Sequence, residues 1–452
     1  MRHMRVWEVF SLTSQTPQVC AFPGIPDTHL SYLEYWIRAL FSREDKGSPT
    51  GDWEKQQTMR FGIRLVLLAV TFSALLACTT RTLTQGPVAT ASLYLATQGN
   101  SSIQGYSAST SNGVIDPEGS VLPTGSMPYA IAITPSLTTL FVDNNNSDDI
   151  YSYTINSDGT LKAGTKATDK SGSTASMPTG MAVDPGGKFL FVANEGSSTV
   201  AVYSINGTTL TEVTGSPFTT KTPGDPTETQ PTAVAVSSSG NFLYVANNFT
   251  NTVGVFSIAS SGALTQTGFS PYTVGLAPTG LGTVPSGAFL YVTNAGSNNV
   301  SAFTICDKVV TSCADPNHPD GRLTAVAGSP FSAGLGPIAI AADPSFNFLY
   351  VLNKQSSNLS EFSYAPGSGV LTALSSPTAS TGLTPFSLVV IAGTTGSNLG
   401  NTLTNPTDFV FVSNNGASTV SEFSLNTTTG VLTPVGQATT VAGGNPSAVA
   451  AQ

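Results

Sequence analysis

One phrase recurs along this chain of 452 residues, and it constrains the fold more than any other feature of the sequence. Each copy contains a proline, a short apolar stretch, a turn, and then an aromatic residue, a valine, a variable residue and an asparagine. The asparagines follow one another at intervals of 47–61 residues, at Asn144, Asn194, Asn247, Asn294, Asn353 and Asn414. A degenerate copy, Tyr94–Thr97, precedes them. Repeats of this length predict a modular architecture of stacked, similar units.

Each copy reads as four strands. In the clearest copy they are predicted at Thr179–Asp184, Phe189–Asn194, Thr199–Ile205 and Thr208–Thr214. Turn-forming sequences such as Asp184–Gly187 separate them. Four short strands in every repeat of this length are typical of a β-propeller blade. The sequence therefore predicts an all-β fold with four antiparallel strands per blade.

The two ends of the repeat region predict the number of blades. The first copy, from Ser92 onward, lacks its proline-initiated strand, and the chain ends with Pro446–Ala451, which has the pattern of that strand alone. The proline-initiated strands then begin at Pro128, Pro178, Pro231, Pro278, Pro337, Pro385 and Pro446. We therefore predict a seven-bladed β-propeller over residues 92–452, whose first blade is closed by the C-terminal strand. Closure is expected because an open ring leaves two blade faces without partners.

Composition changes abruptly near Met59. Residues 1–58 contain all three tryptophans, whereas the sequence beyond them is rich in Gly, Ser, Thr, Asn and Val and poor in charge. A basic start with Arg60 and Arg64, followed by the apolar run Leu65–Ala77, has the pattern of an export signal. The run is too short to span a hydrocarbon core as a helix. We expect 1–58 to be a non-native upstream extension and 59–77 to be a signal peptide.

The end of the signal predicts a lipid anchor. Leu75–Cys78 resembles the lipobox of bacterial lipoproteins, and the resemblance implies that Cys78 is acylated and becomes the first residue of the mature chain. Residues 78–91 would then be a tether to the propeller. Thr79 follows the cysteine, which by the same resemblance favours the outer membrane. We expect an exported protein that is lipid-anchored in the cell envelope, at the outer membrane or on its periplasmic face.

Charge limits the partners. From Cys78 onward the chain has nineteen Asp or Glu residues against nine Lys or Arg, without a basic cluster. A nucleic-acid partner needs a stripe of cations to displace counterions from phosphates, so we expect none. The Ser, Thr and Asn-rich surface instead suits a carbohydrate or an envelope protein, presented by a monomer.

Two cysteines suggest a local crosslink. Cys306 and Cys313 lie close together in a chain that is expected to be exported, where disulfides persist. A metal site at these cysteines is disfavoured because a single Cys pair leaves a tetrahedral site unfilled. Asp315–Gly321 has the composition of a calcium loop but the wrong ligand spacing. We predict no metal site and no cofactor, with a calcium ion as the alternative.

The blade phrase also carries a family resemblance. Tyr291–Asn294 resembles the YVTN propeller repeats of surface-layer proteins, and Phe191–Tyr203 looks like a blade of the seven-bladed lactonase family, which includes a bacterial phosphogluconolactonase. The resemblance covers Ser92–Gln452. It implies a lactone hydrolase that gathers His, Arg and acidic residues on one propeller face. The matching residues are strand and turn residues, which determine fold more than activity.

The residues needed for that chemistry are sparse. His318 and Arg322 lie in the predicted connection between the third and fourth strands of blade 5, on the face opposite Glu195. Glu195, Asp148 and Asp149 remain as weak catalytic candidates, since lactone hydrolysis needs a base and stabilisation of an oxyanion. The preferred hypothesis is a binding or interaction scaffold, and the alternative is a phosphogluconolactonase-like carboxylic ester hydrolase.

Overall fold

The computed structural model describes residues 90–109, 112–168, 176–307, 320–392, 408–441 and 443–451, together with the backbone of 397–398 and 401–402. The predicted segments 1–58 and 59–77, Cys78, Cys313 and His318 lie outside these residues. The described ranges contain strands and turns, and in them no helix has the length and apolarity needed to cross a membrane.

The described residues form thirty-four strands, which we number in chain order. The first half comprises β1 (Thr90–Thr97), β2 (Ser102–Ser109), β3 (Ile115–Pro123), β4 (Pro128–Ile133), β5 (Thr139–Asn144), β6 (Asp149–Ile155), β7 (Leu161–Thr168), β8 (Pro178–Val183), β9 (Phe189–Asn194), β10 (Thr199–Asn206), β11 (Thr209–Glu212), β12 (Phe218–Thr219), β13 (Pro231–Val236), β14 (Phe242–Asn247), β15 (Thr252–Ile258), β16 (Leu264–Gln266) and β17 (Tyr272–Thr273). The second half comprises β18 (Pro278–Thr283), β19 (Phe289–Asn294), β20 (Asn299–Ile305), β21 (Leu323–Ala325), β22 (Phe331–Ser332), β23 (Pro337–Ala342), β24 (Phe348–Asn353), β25 (Asn358–Tyr364), β26 (Leu371–Ser380), β27 (Pro385–Ile391), β28 (Ser397–Asn398), β29 (Asn401–Thr402), β30 (Asp408–Asn414), β31 (Thr419–Leu425), β32 (Leu432–Pro434), β33 (Thr439–Thr440) and β34 (Pro446–Ala451).

These strands form seven antiparallel sheets, the blades of a propeller, and a small separate hairpin of β28 and β29. Blade 2 has the order β4-β5-β6-β7 from the inside outward, and blades 3–7 repeat it with their own proline-initiated strand innermost. We call the four positions inner, second, third and outer. The seven-bladed, all-β fold predicted from the sequence is confirmed.

The first blade is completed by the end of the chain. Its order is β3-β2-β1-β34, so the C-terminal strand is its inner strand. Tyr94 pairs with Ala450, Leu95 with Val449 and Thr97 with Pro446. The predicted closure is confirmed, and β1 begins at Thr90, slightly before the predicted Ser92.

The outer strand is interrupted in blades 3, 4, 5 and 7, which the sequence analysis did not anticipate. The single strand predicted at Thr208–Thr214 is instead β11, followed by β12 on the same partner. Between them the Ser216 hydroxyl accepts the Val202 N–H at 3.0 Å. Ser270 and Ser329 do the same for Val255 and Ala302 in the next two blades. A serine hydroxyl therefore replaces a missing main-chain acceptor where the ladder is broken.

Neighbouring blades pack through apolar clusters that each draw on two blades. At the end of the blades where the second strands begin, the phenylalanine that starts a second strand packs against a glycine of the next blade. That glycine lies in the turn between the third and outer strands. Gly262 shows the constraint: its φ is +85°, and a Cβ there would lie 2.7 Å from the Phe189 ring. Gly207, in the corresponding turn of blade 3, has a φ of +56° and open space around a Cβ.

The two glycines predict different costs for the same substitution. Gly207→Ala should lower the free energy of unfolding by about 1 kcal/mol, because it adds only left-handed backbone strain. Gly262→Ala adds a collision with Phe189 and should cost about 3 kcal/mol. Chemical denaturation of the two variants measures the difference. Equal losses of unfolding free energy in the two variants would show that the Phe189 ring moves aside without cost.

Two glutamates are buried between blades. Glu361 and Glu422 occupy the same position of the third strand in blades 6 and 7, and they are 1% and 4% exposed. Burial raises the pKa of each to about 7. Glu361 Oε2 accepts the Leu432 N–H of blade 7 at 3.0 Å, and Glu422 Oε1 accepts the Thr439 hydroxyl at 2.5 Å. These bonds oppose the rise in pKa only in part, so both carboxyls hold a proton more tightly in the folded chain than in the unfolded chain.

The raised pKa values predict a propeller that is more stable in acid. Below about pH 4.5 both carboxyls are neutral in the folded chain and in the unfolded chain. As the pH rises from there through about 7, their contribution to the free energy of unfolding is lost. Each shift corresponds to about 3 kcal/mol. The loss between pH 5 and pH 8 should therefore be smaller in Glu361→Gln and Glu422→Gln, and smallest in the double variant. Urea unfolding at both pH values tests this, and a loss unchanged by the substitutions would contradict it.

Candidate functional site

Strand polarity places equivalent loops of all blades on the same face. In blade 3, Asn194 at the end of the second strand pairs with both Pro178 and Thr199. The start of the inner strand and the turn between second and third strands therefore lie at one end of the blade. We call the face with these turns the mouth face; it carries residues 98–101, 145–148, 195–198, 248–251, 295–298, 354–357 and 415–418. The opposite end is the turn face.

Asp148 lies on the mouth face in a repeated structural position. It is the last residue of its turn and has a φ of 50°. Its Oδ1 accepts the Met177 N–H at 2.8 Å and the Ser176 hydroxyl at 2.9 Å, which ties blade 2 to the segment leading into blade 3. Asn251 and Asn298 have the same backbone conformation and accept N–H groups of the next connection at 2.7 and 2.8 Å. The Asp148 carboxylate thus makes a contact that amides make elsewhere.

Asp149 is a buried partner of that turn. It is 1% exposed, and its Oδ1 accepts the Asn144 amide and the Ser147 hydroxyl, both at 2.9 Å. The Lys166 ammonium lies 2.7 Å from its Oδ2. These contacts occupy the carboxylate within blade 2. Glu195, the third predicted candidate, differs from both because its charge acts on Tyr129 of inner strand β4.

The equivalence of Asp148 and Asn251 predicts how Asp148 tolerates change. Asp148→Asn keeps the acceptor and suits a left-handed backbone, so stability should change by less than about 0.5 kcal/mol. Asp148→Ala loses the acceptor and should cost about 1–2 kcal/mol. Denaturant unfolding of both variants, with Asn251→Asp as the reciprocal control, checks this. A large loss in Asp148→Asn would indicate that the charge itself is required.

A second repeated position surrounds the opening of the central channel. The residue after the end of each second strand is an amide in four blades, and each of these amides donates to the first carbonyl of the next inner strand. The pairs are Gln98 to Pro128, Asn145 to Pro178, Asn248 to Pro278 and Asn415 to Pro446. Glu195 and Lys354 occupy this position in blades 3 and 6. Charge has replaced an amide at two points of the ring.

Glu195 is half-buried beside Tyr129. Burial raises the pKa of Glu195. The pKa of Tyr129 is raised to about 12, first by burial and then by the negative charges of Glu195 and Asp143. Tyr129 follows the proline of inner strand β4, and Asp143 lies near the end of β5. Blades 2 and 3 therefore bring two carboxyl groups and a phenol together at the mouth.

An aromatic pair at the mouth connects the inner strands of blades 2 and 7, which lie on either side of blade 1. The rings of Tyr129 and Phe386 meet edge to face, with centroids 4.9 Å apart and an interplanar angle of 76°. Phe386 follows the proline of inner strand β27 in blade 7. The Lys354 ammonium lies over the Phe386 ring, 5.6 Å from its centroid. In the mouth-face turns that the structure describes, Lys354 is the cation at the channel, and its side chain is exposed.

The arrangement combines an apolar floor with opposite charges. The aromatic pair can support the flat side of a ring, while the carboxyl of Glu195 and the phenol of Tyr129 can hydrogen-bond hydroxyl groups. Glu195, whose pKa is raised by burial, can act as a proton acceptor or donor, and Lys354 can stabilise developing negative charge. Among the described side chains, no three of His, Cys, Asp and Glu are grouped so as to hold a metal ion.

The remaining predicted residues lie elsewhere. Cys306 is disulfide-bonded, but its predicted partner Cys313 lies outside the described residues, as does His318. Arg322 directly precedes outer strand β21, and its carbonyl accepts the Cys306 N–H at 2.9 Å. It contacts Tyr272 near the outer edge of blade 5. The structure does not bring Arg322 to Glu195.

Sequence reasoning missed Tyr129, Phe386 and Asp143. A signal for the two aromatic residues was available in the repeats, because the residue after each inner-strand proline is Ser447, Tyr129, Thr179, Thr232, Thr279, Ile338 or Phe386. Aligning these positions would have singled out two rings in a set of mostly small polar residues. Asp143 could have been found in the same way, since Ala193 and Ala246 occupy its position in blades 3 and 4.

Several solved structures share this architecture. A periplasmic gluconolactonase from Pseudomonas aeruginosa, PpgL, is 22% identical, with a TM-score of 0.62 over 80% of this chain and 99% of that protein. A candidate 6-phosphogluconolactonase from Bacteroides fragilis is 17% identical, with a TM-score of 0.63 over 80% of this chain and 98% of its own. A protein from Lactobacillus plantarum is 18% identical, with a TM-score of 0.61 over 80% of this chain and 100% of that protein. At these identities the likeness establishes the fold alone.

The sequence itself gives a family match. No curated protein matches the chain. The family described as "Lactonase, 7-bladed beta-propeller" matches residues 174–311 and 306–451, which together cover more than half of the chain and five of its seven blades in full. Both ends of the match lie within the propeller that the structure shows. The chain therefore belongs to the seven-bladed β-propeller lactonase family.

Proposed function

We propose that this chain is an envelope-attached propeller that binds a small, polar ring compound at the mouth of its channel. The observation that carries the proposal is the group formed by the Tyr129–Phe386 pair with Glu195 on one side and Lys354 on the other. Ring faces pack on aromatic side chains, and the flanking polar groups orient the ligand. A lactone or a sugar has this combination of a compact ring and hydroxyl groups.

The charges at the mouth favour a ligand without a phosphate. Recognition of a phosphate is strongest with a bidentate guanidinium, and Arg322, the arginine in the described part of the chain, lies at the outer edge of blade 5. Asp143 and Glu195 would repel a dianion brought near Tyr129. A neutral lactone or carbohydrate is therefore the preferred ligand class, as opposed to the phosphorylated lactone in the name of the Bacteroides fragilis protein.

The cellular setting belongs to the same proposal. The signal-like segment 59–77 and the lipobox-like Leu75–Cys78 support export and acylation at Cys78, with the predicted tether 78–91 leading to the propeller. A monomeric propeller in the envelope would present the mouth to a carbohydrate or an envelope protein. The Pseudomonas aeruginosa protein of similar fold is named as a periplasmic gluconolactonase, which agrees with such a location.

Lactone hydrolysis is the second candidate, and the raised pKa of Glu195 favours it. As a carboxylate, Glu195 would take a proton from water as that water attacks the lactone carbonyl. The negative charge that develops on the carbonyl oxygen would be stabilised by the Lys354 ammonium. The C–O bond of the ring then breaks, and the proton held by Glu195 passes to the leaving alkoxide. Binding alone needs none of these transfers.

Glu195→Gln separates binding from hydrolysis. The amide keeps the size and hydrogen-bonding capacity of the carboxyl but cannot act as a base, so ligand affinity should change less than about threefold while any turnover falls by at least about a hundredfold. The test measures calorimetric binding and hydrolysis over a panel of neutral lactones and sugars. Glu228→Gln is the control, because Glu228 also lies on the mouth face but is paired with Lys221 at 2.6 Å.

The pH dependence gives an independent criterion. A general base must be ionised, so turnover should rise with pH through the pKa of Glu195, which lies above its ordinary value. If the wild type binds a ligand without turnover, the binding function is supported and the enzymatic function is refuted. Failure of every lactone and sugar to bind would overturn both.

A further inference from the structure

Blade 2 departs from blades 3–7 where its inner strand reaches the mouth. In those five blades, the residue two places after the proline pairs with the residue before the strand-ending asparagine. The pairs are Gly180–Ala193, Ala233–Ala246, Gly280–Thr293, Ala339–Leu352 and Ser387–Ser413. In blade 2 the register passes from Pro128–Asn144 directly to Ile131–Val142. Ala130 and Asp143 have left the main-chain ladder.

A side chain takes over the lost contact. Asp143 Oδ1 accepts the Ala130 N–H at 2.6 Å, and Asp143 is fully buried. A carboxylate holds an N–H more strongly than a neutral acceptor does. Blade 7 shows an intermediate case, because the Ser413 hydroxyl accepts the Ser387 N–H at 3.1 Å while the two residues remain paired. Blade 1 also skips the pair, and there the Ser447 hydroxyl donates to the Ala96 carbonyl at 3.3 Å.

We propose that Asp143 is a positioning residue that sets Tyr129 in the mouth. By fixing the Ala130 N–H on its side chain, Asp143 fixes the backbone on the C-terminal side of Tyr129 and directs the phenol ring toward Phe386. The inference deepens the proposed function, since it assigns to Asp143 the shape of the ring-binding floor. Tyr129 touches the ligand in this scheme, and Asp143 acts through Tyr129.

The other blades show that a carboxylate is unnecessary for building the fold at this position. Ala193 and Ala246 occupy it in blades 3 and 4, and both inner strands are regularly paired there. A buried carboxylate is costly unless it is hydrogen-bonded. Its presence beside the one tyrosine of the inner strands is therefore explained by what it does to Tyr129. The proximity of the two groups is also seen in the raised pKa of Tyr129, to which Asp143 contributes.

The test places a spectroscopic reporter at Tyr129. The full chain is prepared with 3-fluorotyrosine at position 129, and the ¹⁹F chemical shift is followed in Asp143→Asn, Asp143→Ser and Asp143→Ala. Asn keeps an acceptor for the Ala130 N–H, and Ser repeats the geometry of Ser413. At neutral pH the shift should stay near the wild-type value in Asp143→Asn, move partly in Asp143→Ser, and approach that of an exposed tyrosine in Asp143→Ala.

Titration of the same reporter separates position from charge. The phenol pKa should fall in all three variants, because each removes the negative charge of Asp143, whereas the neutral-pH shift should follow the ability to accept the Ala130 N–H. Thr293→Ala, at the same position of blade 5, is the control and should change neither. A neutral-pH shift that is identical in the wild type and in a folded Asp143→Ala would overturn the proposal. A shift in Asp143→Asn as large as in Asp143→Ala would do so as well.

Ligand binding supplies the functional arm. For a lactone or sugar that binds the wild type, Kd should rise about tenfold in Asp143→Ala and less than about threefold in Asp143→Asn. Unchanged affinity in Asp143→Ala, with the ring displaced, would refute the role of Tyr129 as the floor. The ¹⁹F measurement needs no ligand, so it tests the positioning of Tyr129 by Asp143 independently. Failure of every compound in the panel to bind would refute the proposed function alone.

Discussion

The pairing of β34 with β1 is the contact on which the rest of the propeller depends. It joins the two ends of the described domain through Tyr94–Ala450 and Leu95–Val449, and it gives blade 1 the inner strand that faces blades 2 and 7. Blades are held together by apolar clusters that each need two neighbours, so one missing inner strand would expose two faces. Closure also fixes the mouth, because the contact of Tyr129 with Phe386 passes across blade 1 and joins blades on either side of the closing strand.

Repetition gives each side chain a set of equivalents, and the exceptions among them identify the site. Four amides around the channel donate to the next blade, and the two charged residues at that position, Glu195 and Lys354, are those that flank the aromatic pair. The ring tolerates these changes because other contacts cross the same interfaces. The Thr179 hydroxyl, for example, donates to the Pro231 carbonyl at 3.0 Å, next to Glu195. Function can therefore vary at the mouth without the loss of blade-to-blade bonding.

The sequence predicted the fold well because propeller signals are local and repeated. The proline-to-asparagine phrase, the turn residues and the fragment Pro446–Ala451 were sufficient for blade number and closure. The interrupted outer strands were missed, since Ser216 replaces a main-chain acceptor in a way that no periodic pattern reveals. The site was harder to predict. Glu195 was recognised from its turn, but Tyr129 and Phe386 are distant in sequence and meet only through the closed ring.

Asp148 and Asp143 show why a carboxylate on the mouth face needs its repeat equivalents to be interpreted. Asp148 has amide counterparts at Asn251 and Asn298 that make the same bond to the next connection, so that contact does not require a charge. Asp143 has alanine counterparts in blades 3 and 4 that make no such bond, and its carboxylate accepts the Ala130 N–H where the ladder of its own blade is interrupted. A residue that does what its equivalents do maintains the architecture. A residue that differs from its equivalents beside a cluster of rings and charges is instead the place to look for function, and in this propeller that residue, Asp143, lies next to Tyr129.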